Sequence, residues 1–363
     1  MPEVAPPASS WAPLLSYSQL LTVVRAAAGL GFTRFRITGG EPLSRHGVVD
    51  FVREMARIPG VEDISLSTNG VALGQLVPVR PAGAGTANDG PGERSTSPGS
   101  VAADNGHLEP DARPASGTRI TLAEQLAQAG LRRVNISLDS LRPDRFRAIT
   151  RLGSLDEVWR GIEGALAAGL NPVKLNMVVL RGINDDEVAD MARLTLERPL
   201  DVRFIELMPF GPYYAEEPRR FVSGAEVRQR LTSAGLVLVP VEEAAALARA
   251  VPDVAAGPAR YYRIPGARGR IGFITAMSEH FCSGCNRLRL SAGGKLYPCL
   301  GDIGAVDLRP TLERYRDAGD LSAAEAEITA LIRRAVAAKP ERHHLQDYQN
   351  RDFSWREMFR VGG

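Results

Sequence analysis

Arg133-Val134-Asn135-Ile136-Ser137-Leu138, followed by Leu155–Ala168 and then Val173–Leu180, is the stretch that decides the fold. The two flanking runs are short and rich in β-branched residues, as strands are. The middle run returns its apolar residues at helical spacing. A helix over Asp185–Leu196 and a strand over Val202–Leu207 repeat the unit. Strands separated by amphipathic helices imply parallel pairing with right-handed crossovers. Upstream the rhythm is the same: a helix over Leu14–Ala28 with Ser16 or Ser18 at its start, a strand over Phe32–Ile37, a helix over Val48–Arg57, a strand over Asp63–Ser67 and a helix near Leu122–Ala129. The expected fold class is α/β, a partial (β/α) TIM-like barrel. Its strand ends form one rim, where such folds place their chemistry. Thr38-Gly39-Gly40-Glu41, Thr68-Asn69, Asp139, Asn184 and Met208 all fall just past strands.

Two stretches break the rhythm. Residues 1–13 begin with a Pro/Ala/Ser-rich run, and Val77–Thr118 is a Gly/Pro/Ala/Ser-rich insert with no apolar period. Such composition cannot offset the entropy of ordering, so both are expected to be disordered. The expected division is a barrel core over 14–220 and a C-terminal region over 221–363, with helices at Ser223–Ala234 and Ala323–Ala338. Arg260–Thr275 alternates with glycines and reads as part of a small β-rich module carrying the cysteines. The formal net charge of +2 gives no reason to expect nucleic acid or a membrane as partner. No apolar run is long enough to span a bilayer, and no signal-peptide pattern opens the chain. An odd number of clustered cysteines argues for a reducing, cytoplasmic compartment.

The three cysteines, Cys282, Cys285 and Cys299, are spaced C-x2-C-x13-C. Two thiolates at C-x2-C reach one metal centre, and a third arriving after a hairpin makes a trigonal set. Either His280 closes it as a zinc site, or one position stays open to a small molecule. Arg287 and Arg289, alternating on an expected strand, would suit an anion beside it. Arg36 and Lys174 sit on strands that a parallel sheet should bury. A charge there is costly unless it is used, which points to the barrel interior. Glu41 and Glu206 are possible partners for those bases.

Six segments in order carry a resemblance: Thr38-Gly39-Gly40-Glu41-Pro42-Leu43, Ser67-Thr68-Asn69-Gly70, Val134–Ser140, Pro172–Asn176, Arg203–Pro209 and the cysteine segment. Together they resemble the GTP 3′,8-cyclases of molybdenum cofactor biosynthesis, members of the radical S-adenosylmethionine superfamily. The resemblance implies that Gly40, Ser137 and Met208 contact S-adenosylmethionine. It implies that Arg36, Ser67, Lys174, Arg287, Leu288 and Arg289 bind GTP, although Ser67 stands where the family usually has threonine. Cys282, Cys285 and Cys299 would hold a C-terminal 4Fe–4S cluster whose open iron takes the guanine. The Gly362-Gly363 tail would reach the active site. An electron donor, a downstream cyclic pyranopterin monophosphate synthase and a homodimer are further implied partners.

One departure is large. The family carries a C-x3-C-x2-C loop for a second 4Fe–4S cluster, which cleaves S-adenosylmethionine, and here no cysteine precedes Cys282. The leading expectation is a cyclase lacking its N-terminal segment, inactive as these 363 residues stand. The alternative is a truncated, non-catalytic protein that binds GTP and one cluster.

Overall fold

A computed structural model describes residues 14–79, 118–209, 218–241, 258–301, 304–343 and 345. The chain opens on α1 (Tyr17–Gly29), β1 (Arg34–Ile37), α2 (Val48–Ala56) and β2 (Asp63–Thr68). Short strands β3 (Leu76–Pro78) and β4 (Arg119–Thr121) follow, pairing antiparallel. Next come α3 (Leu122–Gln128), β5 (Arg133–Ser137), α4 (Pro143–Thr150), α5 (Leu155–Ala167), β6 (Val173–Val179), α6 (Val188–Glu197) and β7 (Leu200–Glu206). After α7 (Gly224–Ser233) come β8 (Val239–Pro240), β9 (Arg260–Arg263) and β10 (Arg270–Ile274). The last elements are β11 (Arg289–Leu290), β12 (Lys295–Tyr297), β13 (Val306–Asp307), α8 (Arg309–Asp317) and α9 (Glu325–Ala337).

The main sheet has the order β1-β2-β5-β6-β7-β10-β9-β8. Its first six strands pair in parallel, and β9 and β8 close it antiparallel. This mainly parallel α/β sheet fits the partial barrel expected. Helix starts are set by local chemistry. Ser16, not Ser18, caps α1: its Oγ accepts from Gln19 N at 3.2 Å and its own N donates to Gln19 Oε1 at 2.9 Å. Thr121 and Glu124 form the same reciprocal pair at α3.

Register sorts the sheet into two faces. Arg36 lies opposite Ser65, Ser67 opposite Asn135, Asn135 opposite Lys174, Lys174 opposite Asp201 and Asn176 opposite Arg203. Side chains alternate along a strand, so these polar residues share one face. Ile64, Leu66, Val134, Ile136, Leu175, Val202, Phe204 and Phe273 occupy the other. There they pack on Val52, Met55, Leu126, Val158, Ile162 and Met191 of the helices.

A second core joins the C-terminal region to the start of the chain. Leu15, Val23, Ala26 and Ala27 pack with Leu296, Val306, Leu308, Leu312, Ile328 and Ile332. Leu15 N also donates to Ala292 O at 2.9 Å. This contact ties the small β11-β12-β13 sheet to α1, while the cysteine cavity is lined as well by Met208 past β7 and Ala276 past β10.

The structure corrects the reading of Arg260–Thr275. This stretch supplies β9 and β10 and extends the main sheet rather than forming a separate module with the cysteines. Ile271 and Phe273 are fully buried on the apolar face, and Gly272 sits where a Cβ would press on the Arg203 side chain. Helices α4 and α8 were not foreseen from apolar periodicity; each has a proline in its first turn. Val77 and Pro78, placed in the insert, belong to β3, while residues 80–117 lie outside the described residues. Residues 1–13 and the Gly362-Gly363 tail lie outside them as well.

Candidate active site

The loop after β1 is held by Glu41. Its Oε1 accepts from Leu43 N at 3.1 Å and Thr68 Oγ1 at 2.7 Å, and its Oε2 accepts from Asn69 N at 2.7 Å. Glu41 therefore ties the Gly-Gly turn to the end of β2 instead of pairing with a base. A Cβ at Gly39 or Gly40 would meet nothing within 4 Å, so open space lies over the turn. Ser137 is exposed at the end of β5, and Met208, past β7, lines the cysteine cavity. Glu206 is likewise structural: it accepts from Gly224 N, Met277 N and Ser278 N at 2.8, 2.8 and 2.9 Å. Asn184 donates to the carbonyls of Asp139 and Val178 at 2.8 and 2.9 Å. Asp139 Oδ1 accepts from Val178 N at 2.8 Å, and burial raises this carboxyl to about 6.

The polar face of the sheet is strongly basic. Arg203, only 3 % exposed, donates Nε to Asn176 Oδ1 at 2.8 Å and Nη2 to Asn135 Oδ1 at 2.6 Å. Asn135 Nδ2 donates in turn to Leu66 O at 3.0 Å and Ser67 Oγ at 3.4 Å. Lys174, 6 % exposed, is lowered to about 7 by burial and then by Arg203, against the opposing pull of Asp201. Asp201 is itself held bidentately by Arg270, Nε to Oδ1 at 2.9 Å and Nη2 to Oδ2 at 2.7 Å. Desolvation, then Arg203, Arg287 and Arg289, brings Arg36 down to about 10. Burial, then Arg287, does the same to Arg289. By register Arg36, Lys174 and Arg203 share this face, and Arg287 and Arg289 line the cysteine cavity and repel Arg36. A desolvated cluster of like charges is relieved by a polyanion. The sequence left Arg203 ambiguous and gave Asn135 and Asn176 no role. Polar residues at alternate positions, Arg133, Asn135 and Ser137 on β5, Lys174 and Asn176 on β6 and Asp201 and Arg203 on β7, were the signal.

The three thiols line one cavity with Met208, Phe281, Arg287, Arg289, Lys339 and His343. All are half-buried and free. Burial pushes the Cys285 thiol up, but the Arg287 backbone and guanidinium and the Lys339 ammonium outweigh it, and its net shift is downward. Cys299 is raised, by burial and by its two sister thiols. Arg287 is outside β11, with its guanidinium 5.4 Å from the Phe281 ring centroid, so the strand alternation expected for it and Arg289 is not what brings them together. His280 Nδ1 lies 2.9 Å from His343 Nε2, and His343 Nε2 lies 2.8 Å from Ala276 O. His280, Cys282 and His343 hold their ligand atoms within 4.8 Å of one another. Among the described residues Cys285 and Cys299 stand outside that grouping. His343, to which the sequence gave no role, is part of the cavity wall.

Three thiols on one wall, with cations beside them, fit an iron–sulfur cluster with an open iron. They do not supply a second cluster, because the 363 residues contain no fourth cysteine. A larger cavity of about 540 Å³ opens at the opposite strand ends beside Glu62, Arg132 and Asn171, and none of the site residues lines it. No helix among the described residues is long and apolar enough to cross a membrane.

Residues 114–195 match the Radical SAM superfamily and residues 200–345 match the Molybdenum Cofactor Synthesis C family. A GTP 3′,8-cyclase from Moorella thermoacetica is 42% identical over 100% of this chain and 92% of its own length. The chain belongs to the GTP 3′,8-cyclase family. GTP 3′,8-cyclases from Pelotomaculum thermopropionicum and Heliobacterium modesticaldum are 42% and 40% identical, each over 96% of this chain and 88% and 87% of their own length. The second family match begins at β7 and runs through β10, so the GTP 3′,8-cyclase C-terminal region contributes to the main sheet as well as to the cysteine cavity.

Proposed function

We propose that this chain acts as a GTP 3′,8-cyclase in molybdenum cofactor biosynthesis, converting GTP to 3′,8-cyclo-7,8-dihydro-GTP. The observation that carries this reading is a sheet face bearing Arg36, Lys174 and Arg203 together with a cavity in which Arg287 and Arg289 stand beside three thiols. Arg36, Lys174, Arg287 and Arg289 would neutralise the triphosphate, with Ser67 and Leu288 completing the nucleotide contacts. Cys282, Cys285 and Cys299 would hold a 4Fe–4S cluster, which when bound supplies an open iron for the guanine. Held at both ends, the nucleotide keeps C3′ near C8, an advantage of proximity rather than of acid–base chemistry. The turn fixed by Glu41 would present Gly40 to S-adenosylmethionine, with Ser137 and Met208 as the other contacts. The proposed division is a barrel half over 14–220 and a cluster and GTP region over 221–363, sharing one sheet through β10. An electron donor, a homodimer and a cytoplasmic location belong to the same proposal, and cyclic pyranopterin monophosphate synthase would consume the product.

A second reading rests on one observation, that all three cysteines of the sequence stand at this single cavity. No step of S-adenosylmethionine cleavage can be assigned to these residues, and the chain would then bind GTP and one cluster without turnover. Anaerobic reconstitution with iron and sulfide, followed by assays for GTP binding, 5′-deoxyadenosine and cyclised nucleotide, separates the two. Both products establish the cyclase; GTP binding with no 5′-deoxyadenosine establishes the binding protein. A chain that takes up neither iron nor GTP would refute both.

A further inference from the structure

Lys339 lies two residues beyond the end of α9, and its ammonium has three N–H donors. One reaches Cys285 Sγ at 3.6 Å, one the Arg287 carbonyl at 3.0 Å and one the Pro298 carbonyl at 2.9 Å. Those acceptors come from two separate segments, Cys285–Arg287 before β11 and Pro298 next to Cys299 after β12. The side chain thus bridges the two segments that carry the thiols. Its base is firm: Lys339 N donates to Val336 O at 3.1 Å, and Ile328, Ile332 and Ala335 of α9 are buried in the second core.

We infer that Lys339 is a positioning residue of the cysteine cavity, clamping the Cys285 and Cys299 segments in ligating register and placing one positive charge against the Cys285 sulfur. The inference rests on the reading above, that the three thiols hold an iron–sulfur cluster. Two consequences follow. Groups that hydrogen-bond to metal ligands hold them in place, and their loss typically weakens metal retention about 10- to 100-fold. A hydrogen bond and a positive charge at a cluster sulfur also favour the more negative, reduced state, so they raise the reduction potential. Lys339 acts here through the Cys285 and Cys299 segments that it bridges.

The test uses the full chain, reconstituted anaerobically, as wild type, Lys339→Met, Lys339→Gln and Lys339→Arg. Iron and sulfide per chain, iron release to a chelator and the midpoint potential from a titration followed by electron paramagnetic resonance are measured. Lys339→Met is expected to release iron about tenfold faster and to show a more negative potential. Lys339→Arg, keeping charge and donors, should restore most of both. Lys339→Gln keeps a donor without the charge, and if the Met variant fails to fold it carries the test through its potential alone. A cluster of unchanged potential and unchanged release rate in the Met or Gln variant would overturn the inference while leaving the cluster reading intact. A wild-type chain that holds no iron would overturn the cluster reading and this inference with it.

Discussion

Arg203 on β7 reaches across β6 and donates to Asn135 Oδ1 on β5 at 2.6 Å, binding Asn176 Oδ1 on the way at 2.8 Å. Burial lowers this guanidinium from its ordinary range. A buried cation that loses an acceptor keeps its desolvation cost. Asn135→Ala should therefore destabilise the protein by about 1–3 kcal/mol, read as a lower urea midpoint at unchanged slope. Ser67 would also lose its link to the network, and GTP affinity should fall with it. An unchanged midpoint would mean that Arg203 finds another acceptor.

Lys174 gives the site a pH dependence near neutrality. Its ordinary value of 10.5 falls to about 7 in the fold, through burial first and Arg203 second. Between those two values the unfolded chain binds a proton that the folded chain does not. Stability of the unliganded protein should therefore rise as pH increases from about 7 towards 10 and be lost in the reverse direction. A bound triphosphate favours the ammonium, so GTP binding should take up a proton and weaken as pH rises above about 7. Arg36 and Arg289, lowered only to about 10, stay charged near pH 7 where Lys174 titrates. Calorimetry of GTP binding in two buffers of different ionisation enthalpy measures the uptake. Lys174→Met should abolish both the uptake and the stability slope.

Asp201 illustrates how an acidic residue on the same face is kept from cancelling the bases. It lies opposite Lys174 in register, yet Arg270 takes both of its oxygens in a pair that is almost fully enclosed. Breaking a buried pair on one side leaves the other charge uncompensated, at a cost of about 3–5 kcal/mol. Arg270→Met should therefore lower stability by that order and free Asp201 to pair with Lys174, raising the Lys174 value and flattening the pH dependence of GTP binding. Replacing both residues, Asp201→Asn with Arg270→Met, should recover part of the stability. A double variant no better than Arg270→Met alone would contradict the account.

The parallel core was legible because helical and strand periods alternate cleanly from Arg133 to Leu207, and packing followed them. The identity of the polar face was harder to see. Lys174 and Arg36 stood out as charges on strands, but Arg203 acquired a role only when register set it beside Asn135 and Asn176 on neighbouring strands. Pairing partners of a parallel strand lie tens of residues away, and no local pattern encodes them. β9 and β10 were misassigned for the same reason: their alternation predicted strands, but not that Ile271 would lie beside Val202. That the three cysteines meet at one cavity was legible from their spacing, whereas Lys339 and His343 reach it through the fold from beyond α9. Glu41 is the reverse case, a residue singled out for its charge whose work is to bind backbone.

That work sets up a final prediction. Glu41 oxygens accept from Leu43 N, Thr68 Oγ1 and Asn69 N, and Thr68 is buried at the end of β2. Glu41→Gln replaces one carboxylate oxygen with an amide donor, so either Asn69 N or the Leu43–Thr68 pair loses its acceptor. Hydrogen bonds to charged groups contribute about 1.5–3 kcal/mol each, so a loss of that order in stability is expected. The larger effect should be selective. Glu41 ties the Gly39-Gly40 turn to β2 directly, whereas Arg36, Lys174, Arg287 and Arg289 are positioned by other contacts. S-adenosylmethionine affinity should therefore fall well beyond GTP affinity, both measured by calorimetry on the same reconstituted protein. Equal losses for the two ligands would show that Glu41 supports the whole rim and not the turn.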